Sequence, residues 1–290
     1  MYMIPKEKQH LLTQSLSRRC NNCRDGLYDM CLNYNYIGDD RNGAFAEFVN
    51  VPVDNLIELP ETVDYEQGAL LSSMALATNA MRTGCFGMNT ILPLDRPIAI
   101  SGACDIGFMI VMLLKDAGFR NIFLIGNNDN QKKRAKNLGI SEKHFCNSDR
   151  EDVVSWLNSV TDGGVYTFFE CDGRQESIRY GIESGVPGGW IILVGNHLSD
   201  VVISKYTYHV LLKNQLTITG VSHSSFRQAL PLYMEEGADD WNYVLQRIAD
   251  GKLHPEQLIS HRFSFEELDQ GIIMLRNSKD DCCKIIVEKK

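Results

Sequence analysis

Positive charge is in short supply. Among 290 residues, Lys and Arg number 29 against 37 Asp and Glu, for a net charge of -8. A chain that acidic lacks the electrostatic footprint of a nucleic-acid binder, or of a protein held to an anionic membrane surface. Long apolar runs are missing too. Residues 108–114 and 190–194 are among the longest, far too short to cross a bilayer. The opening Met1-Tyr-Met-Ile-Pro-Lys-Glu-Lys8 has no basic region leading into an apolar one, so a cytoplasmic location is the expectation. No internal repeat, low-complexity run or long charged block is visible. The nine cysteines are an odd number, which argues against a disulfide framework and leaves metal binding or plain burial. What is present is the 44% apolar, 23% charged balance of a globular enzyme, long enough for one large domain or two ordinary ones.

The middle of the chain alternates two periodicities. Strand-like apolar segments at 97–101, 121–125, 165–169, 190–194 and 216–219 are separated by helical segments at 106–117, 131–138, 151–160 and 175–184. That spacing predicts right-handed βαβ units and a doubly wound parallel sheet. The flanks read differently. Residues 43–60 alternate with strand-like side chains and carry prolines, as an antiparallel β module would. Residues 64–82 form an apolar, alanine-rich helix. Beyond Gly220 the order is helix 241–249, strand 258–263, helix 265–276 and strand 284–288.

Gly102-Ala-Cys104-Asp-Ile106-Gly107 follows the first of the central strands and opens a helix. A dinucleotide fingerprint stands at such a place. Its first Gly makes the tight turn, its second lets the backbone approach a pyrophosphate, and its third lets helix and strand pack closely. Cys104 occupies the second position and is expected to crowd the phosphates, with Asp105 adding an opposing charge. Gly126 ends the second strand, where an acid would read the ribose 2′-hydroxyl of NAD. Either NADP is accepted or adenosine binding is weak, with Lys132 and Lys133 one turn on as candidates for a 2′-phosphate. A glycine-bearing turn that binds nothing is the alternative.

Cys20-x2-Cys23-x7-Cys31, Gly43-Ala-Phe-Ala-Glu-Phe48, Phe169-Glu-Cys-Asp-Gly173, Pro187-Gly-Gly-Trp-Ile-Ile-Leu-Val-Gly195, Leu258-Ile-Ser-His-Arg-Phe263 and Lys284-Ile-Ile-Val287 follow one another in a familiar order. With them the chain resembles the zinc-containing medium-chain dehydrogenases, and within these the sorbitol, threonine and galactitol-phosphate dehydrogenases. The resemblance implies an α/β fold: a doubly wound parallel Rossmann sheet plus an incomplete GroES-like β domain. It divides the chain into a partial GroES-like catalytic domain (1–82), a Rossmann nucleotide-binding domain (83–220) and a C-terminal segment returning to the catalytic domain (221–290).

The resemblance also assigns residues. Gly102, Cys104, Ile106, Gly107, Gly126, Val194, Gly195 and Asn196 fall on its cofactor positions. His223 stands where sorbitol dehydrogenases have an Arg near the nicotinamide, an exposed loop histidine being the alternative. Arg262 is taken as structural, and Tyr180, Trp190 and Trp241 as core or interface residues. Cys20, Cys23 and Cys31 match three of four structural-zinc thiolates, with Ser17 at the first position, so a weakened zinc site is expected, three free cysteines in a mobile loop being the alternative. Family members carry a catalytic-zinc Cys and a Gly-His-Glu motif ahead of this loop, and neither is found here. Ser72 and Ser73 stand where the family has the next ligand, a Glu, and its Pro. A catalytic zinc needs three protein ligands and an open fourth position, so no catalytic residue is assigned.

The implied chemistry is reversible hydride transfer between NAD or NADP and a small polyol or polyol phosphate, by a homo-oligomer that binds neither nucleic acid nor membrane. Impaired activity is expected, the alternative being a non-catalytic nucleotide-binding or interaction protein derived from the family.

Overall fold

The computed structural model describes residues 10–12, 19–86, 91–197, 199–225, 239–277 and 282–288. It divides into two compact units, one of residues 1–75 and 223–256, the other of residues 76–222 and 257–290.

In the first unit, β1 (His10–Leu12) pairs antiparallel with β2 (Leu56–Glu58). The short helix α1 (Asn21–Arg24) lies between them in sequence. The β module expected over 43–60 shrinks to β2. Residues 43–52 carry no strand, and Phe45 and Phe48 are 69% and 80% exposed. Alternation of side chains makes a strand only where a ladder partner satisfies the backbone, and among the described residues this segment has none. The long helix α2 (Tyr65–Phe86) follows, rich in Ala, Leu and Met, and buried nearly all round between Met74 and Met81. It continues four residues beyond the predicted stop.

The second unit holds six parallel strands: β3 (Ile98–Ser101), β4 (Ile122–Gly126), β5 (Phe145–Asn147), β6 (Val165–Glu170), β7 (Gly185–Leu193) and β8 (Thr217–Gly220). Their spatial order is β5-β4-β3-β6-β7-β8. Helices α3 (Asp105–Asp116), α4 (Asp129–Asn137), α5 (Val153–Val160), α6 (Gln175–Ser184) and α7 (Lys205–Lys213) alternate with them. Strand parity explains two covered faces. Ala99, Phe123, Phe168 and Ile191 point to the side where α5 and α6 bring Val153, Leu157, Ile178 and Ile182. On the other side Ile100 lies under Gly107 of α3, and Thr167, Phe169 and Ile192 surround Gly84. Each fully buried Phe or Ile of these layers contributes about 1.5–3 kcal/mol. The doubly wound expectation holds. Two elements escaped it, β5 and α7.

The chain then runs through α8 (Asp240–Ala249) in the first unit, and through β9 (Ile259–Ser264), α9 (Leu268–Asn277) and β10 (Lys284–Glu288) in the second. β9 and β10 pair in parallel. Trp241 is 1% exposed and Tyr180 packs on the apolar core, as expected of core residues. Arg262 is exposed on β9.

Candidate functional site

The strand order reverses between β3 and β6, one half of the sheet running outward through β4 and the other through β7. In open α/β sheets ligands bind at the carboxyl ends of the strands flanking such a reversal. Three turns meet at that end. Gly102, with φ +102°, follows β3 and donates its N–H to the Ile125 carbonyl at 3.1 Å. A Cβ there would sit 2.9 Å from the Cys171 backbone, and a Cβ on Gly107 would strike the Gly102 carbonyl oxygen. Both glycines of the turn are therefore sterically required. Gly173, with φ +71°, and Gly195 make the same kind of approach between the turns after β6 and β7, each packed on the other turn's backbone.

Helix N-termini set two of these turns apart from those that open α4, α5, α7 and α8. Asn128, Asp152, Ser204 and Asp239 cap α4, α5, α7 and α8, each side chain accepting from the N–H three residues on. The Cys104 side chain makes no such bond at α3, nor does Arg174 at α6. First-turn N–H groups left without a side-chain cap can receive an anion. Ile106 is the exception at α3, its N–H donating to Asp105 Oδ1 at 2.9 Å.

Two sequence objections to a phosphate weaken here. Cys104 turns its Sγ to the Cys171 carbonyl at 3.5 Å. Burial first, then the Asp105 charge, pushes that thiol up to about 12, so it is neutral at pH 7. Asp105 in turn is paired with Lys284 of β10, Nζ to Oδ2 at 2.9 Å, both side chains about three-quarters buried. Sequence reading had no access to Lys284, because the pair joins residues that only folding brings together.

Glu170, fully buried at the end of β6, organises the neighbouring turn. Its Oε1 accepts from the Asp172 and Gly173 N–H groups at 2.9 and 2.8 Å and from Ser177 Oγ at 2.5 Å. Its Oε2 has no partner among the described residues, and neither has the Oγ of Ser101, its register partner on β3. Val194 and Gly195 donate their N–H groups to the Glu170 carbonyl at 2.8 and 3.0 Å. Asn196 is exposed and lines a groove of about 300 Å³ with Asp172, Arg174, Glu176 and Asp200. Arg174 donates from Nε to Asp172 Oδ2 at 2.7 Å. Glu170 lies within the Phe169–Gly173 stretch that the sequence flagged only as a family marker, and Arg174 directly follows it.

Gly126 ends β4 as expected, but it is enclosed. A Cβ there would lie 2.6 Å from Gln131 Oε1, 2.9 Å from the Phe145 ring and 3.0 Å from Ala103 Cβ. Lys132, one of the two lysines named for a 2′-phosphate, has its Nζ 3.6 Å from Glu142.

In the first unit, the sulfurs of Cys20, Cys23 and Cys31 lie within 4.8 Å of one another. Cys20 Sγ is 3.4 Å from Cys23 Sγ and 4.0 Å from Cys31 Sγ. Ser17 lies outside the described residues. The Cys23 N–H, then that of Leu32, holds the Cys20 thiol down at about 6 against the opposing effect of burial. His223, also in this unit, is half-buried rather than an exposed loop residue. It stacks on Tyr34 at 4.5 Å, and its Nδ1 lies 2.7 Å from Tyr36 Oη. Ser72 is exposed on α2.

Known proteins agree with this architecture. The family described as zinc-binding dehydrogenase matches residues 106–238, and the alcohol dehydrogenase GroES-like domain matches residues 9–61. L-Threonine 3-dehydrogenase of Caldanaerobacter subterraneus subsp. tengcongensis is 29% identical over 277 residues, covering 95% of this chain and 73% of its own. Galactitol 1-phosphate 5-dehydrogenase of Escherichia coli K12 is 26% identical over 257 residues, or 87% and 69% of the two chains. The crystal structure of galactitol-1-phosphate dehydrogenase from Escherichia coli superposes with a TM-score of 0.79 at 22% identity, over 94% and 75% of the chains, and shows the same fold. The chain belongs to the zinc-type medium-chain dehydrogenases. Among the described residues, no helix is long and apolar enough to cross a membrane.

Proposed function

We propose that this chain is an NAD(P)-dependent dehydrogenase of the zinc medium-chain type, acting on a secondary alcohol of a small polyhydroxy substrate such as a polyol or its phosphate. The observation that carries the reading is the β3–α3 turn at the sheet's reversal point. Gly102 and Gly107 allow the backbone to close there, and the Cys104 side chain does not cap the helix behind them. That cradle suits a pyrophosphate, and the Lys284–Asp105 pair removes the net negative charge beside it. The nicotinamide would supply hydride acceptance and return. The chain's own part is to hold the phosphates against the turn between Gly102 and Gly107, and the remainder of the dinucleotide along Val194, Gly195 and Asn196. Relatives named for threonine, galactitol 1-phosphate and xylulose support the substrate class.

A zinc ion fits the thiol triad. At about 2.3 Å from each sulfur a tetrahedral zinc sets sulfurs about 3.8 Å apart, between the observed 3.4 and 4.0 Å. Cys20, Cys23 and Cys31 would hold it as a structural ion. A second reading, nucleotide binding without turnover, draws on Ser72, whose hydroxyl offers no carboxylate ligand.

Titration of intrinsic and NAD(P)H fluorescence tests the first reading. Saturable binding of NADH or NADPH that Gly107→Val abolishes is expected, and no binding of either rejects it. Turnover of a polyol with NAD(P), lost with a chelator and restored by zinc, would reject the second. Self-association is inferred as well. Among the described residues the outer edge of β8 is unpaired, and the preceding helix exposes Tyr206, Tyr208 and Leu212.

A further inference from the structure

Gly126 leaves the end of β4 without the acid that reads a ribose 2′-hydroxyl, and the packing around it leaves no room for one. The groups that flank this strand end come from its neighbour. β5 pairs with β4 so that Asn147 stands opposite Gly126, and the Ser148 N–H donates to the Gly126 carbonyl at 2.8 Å. The turn that follows is pinned from within. The Asp149 N–H donates to Asn147 Oδ1 at 3.0 Å, and the Arg150 and Glu151 N–H groups to the Asn147 carbonyl at 3.0 Å. Two residues past that link stands Arg150. Its guanidinium faces Asp129, the first residue of α4 and the third past Gly126, with Nη1 to Oδ1 and Nη2 to Oδ2 both at 3.1 Å.

We propose that Arg150 is the residue that reads a 2′-phosphate and makes the chain prefer NADPH, Asp129 holding its place while the nucleotide is absent. This rests on the nucleotide-binding reading above. The paired fork is the geometry a phosphate accepts, and an arginine recognises it through two parallel bonds. An arginine close to the strand end is what a Rossmann domain needs to accommodate the extra phosphate. Asp129 is a weak competitor, since both partners are about two-thirds exposed and exposed ion pairs contribute little. The nearby acids are occupied in other ways. Asp152 caps α5 through the Ser155 N–H at 2.8 Å, and Glu151 Oε1 accepts from the Asn147 N–H at 3.3 Å. Asp149 flanks the fork as well, its side chain without such a bond among the described residues. Lys132 and Lys136 are both turned to Glu142.

The test is fluorescence titration of the full chain with NADH and with NADPH, for the wild type, Arg150→Ala and Asp129→Ala, with 2′,5′-ADP and 5′-AMP as displacing probes. Tighter NADPH binding by the wild type is expected. Arg150→Ala should cut the NADPH preference about tenfold, equivalent to about 1.4 kcal/mol, leaving NADH within twofold and removing the advantage of 2′,5′-ADP over 5′-AMP. Asp129→Ala should raise the preference by freeing the fork. A fall of less than threefold in Arg150→Ala overturns the proposal. So does NADH-selective binding that Asp129→Ala abolishes, because Asp129 would then be reading the hydroxyl. Absence of binding by either nucleotide overturns both this proposal and the nucleotide reading, whereas NADH binding without any for NADPH overturns this proposal alone. Arg150 is exposed, so the substitution leaves the fold intact, and unchanged thermal melting checks that.

Discussion

At Gly107 a single methyl group decides whether α3 can start where it does. Gly107→Ala would drive a Cβ into the Gly102 carbonyl oxygen, an overpacking cost of about 1–3 kcal/mol. Thermal melting should fall by roughly 2–12 °C for a unit of this size, and a midpoint within 1 °C of wild type would contradict the packing. Gly126→Asp, which the sequence suggests as a switch toward NADH, meets Gln131 and Phe145 at once. It should lower stability without improving NADH binding, by melting and titration of one preparation. Cysteine reactivity divides along similar lines. After metal removal, Cys20, held at about 6, should alkylate half-maximally near pH 6, whereas Cys104, pushed up to about 12, should resist iodoacetamide to pH 9; peptide mass spectrometry reads both. The Cys20 value lies below that of an unfolded thiol, about 8.5. Its thiolate therefore favours the fold above that pH, a contribution lost as the pH falls through about 6.

Among the secondary elements, the caps give the sharpest expectation. Asp152→Ala removes the acceptor of the Ser155 N–H and should cost α5 about 1 kcal/mol. The Ser155 side chain first, and then this N–H bond, hold the Asp152 carboxyl below its ordinary range. Its stabilisation is thus present above the unfolded carboxylate value and disappears as pH falls through the folded one. Acid titration of melting midpoints should show the wild type losing this margin while the variant does not. Caps also explain what was legible in the sequence. Helices α3 to α6, with β4 and β6 between them, could be placed from periodicity alone. α7 was missed because Tyr, Thr, His and Val dilute its helical pattern, although Ser204 capping at Thr207 was the available signal. β5 is three residues long, too short for any period to register. Residues 43–52 show the opposite failure, a strand pattern without a ladder. The glycine turn and the thiol triad could be read because their spacing is local. Glu170, Lys284 and Arg150 could not, because each gains its meaning from a partner on another element.

For the whole molecule, the two units predict separable ligand effects. Cys23→Ser should remove zinc, at most one per chain by elemental analysis, while leaving NADPH affinity within about twofold; a larger loss would tie the triad to nucleotide binding. The sheet order has a consequence of a different kind, in how the chain is made. β3 is one of the two middle strands, with all four of its residues buried, and it pairs with β4 on one side and β6 on the other. During synthesis at roughly 5–20 residues per second, β3 and β4 are complete seconds before β6 is. For that interval one edge of β3 is an apolar strand with nothing to pair with, the kind of edge that recruits other chains. A chain stopped after residue 160 should therefore precipitate under conditions that keep the full chain in solution, and slower synthesis at low temperature should leave its folding more exposed to holdase capture, not less.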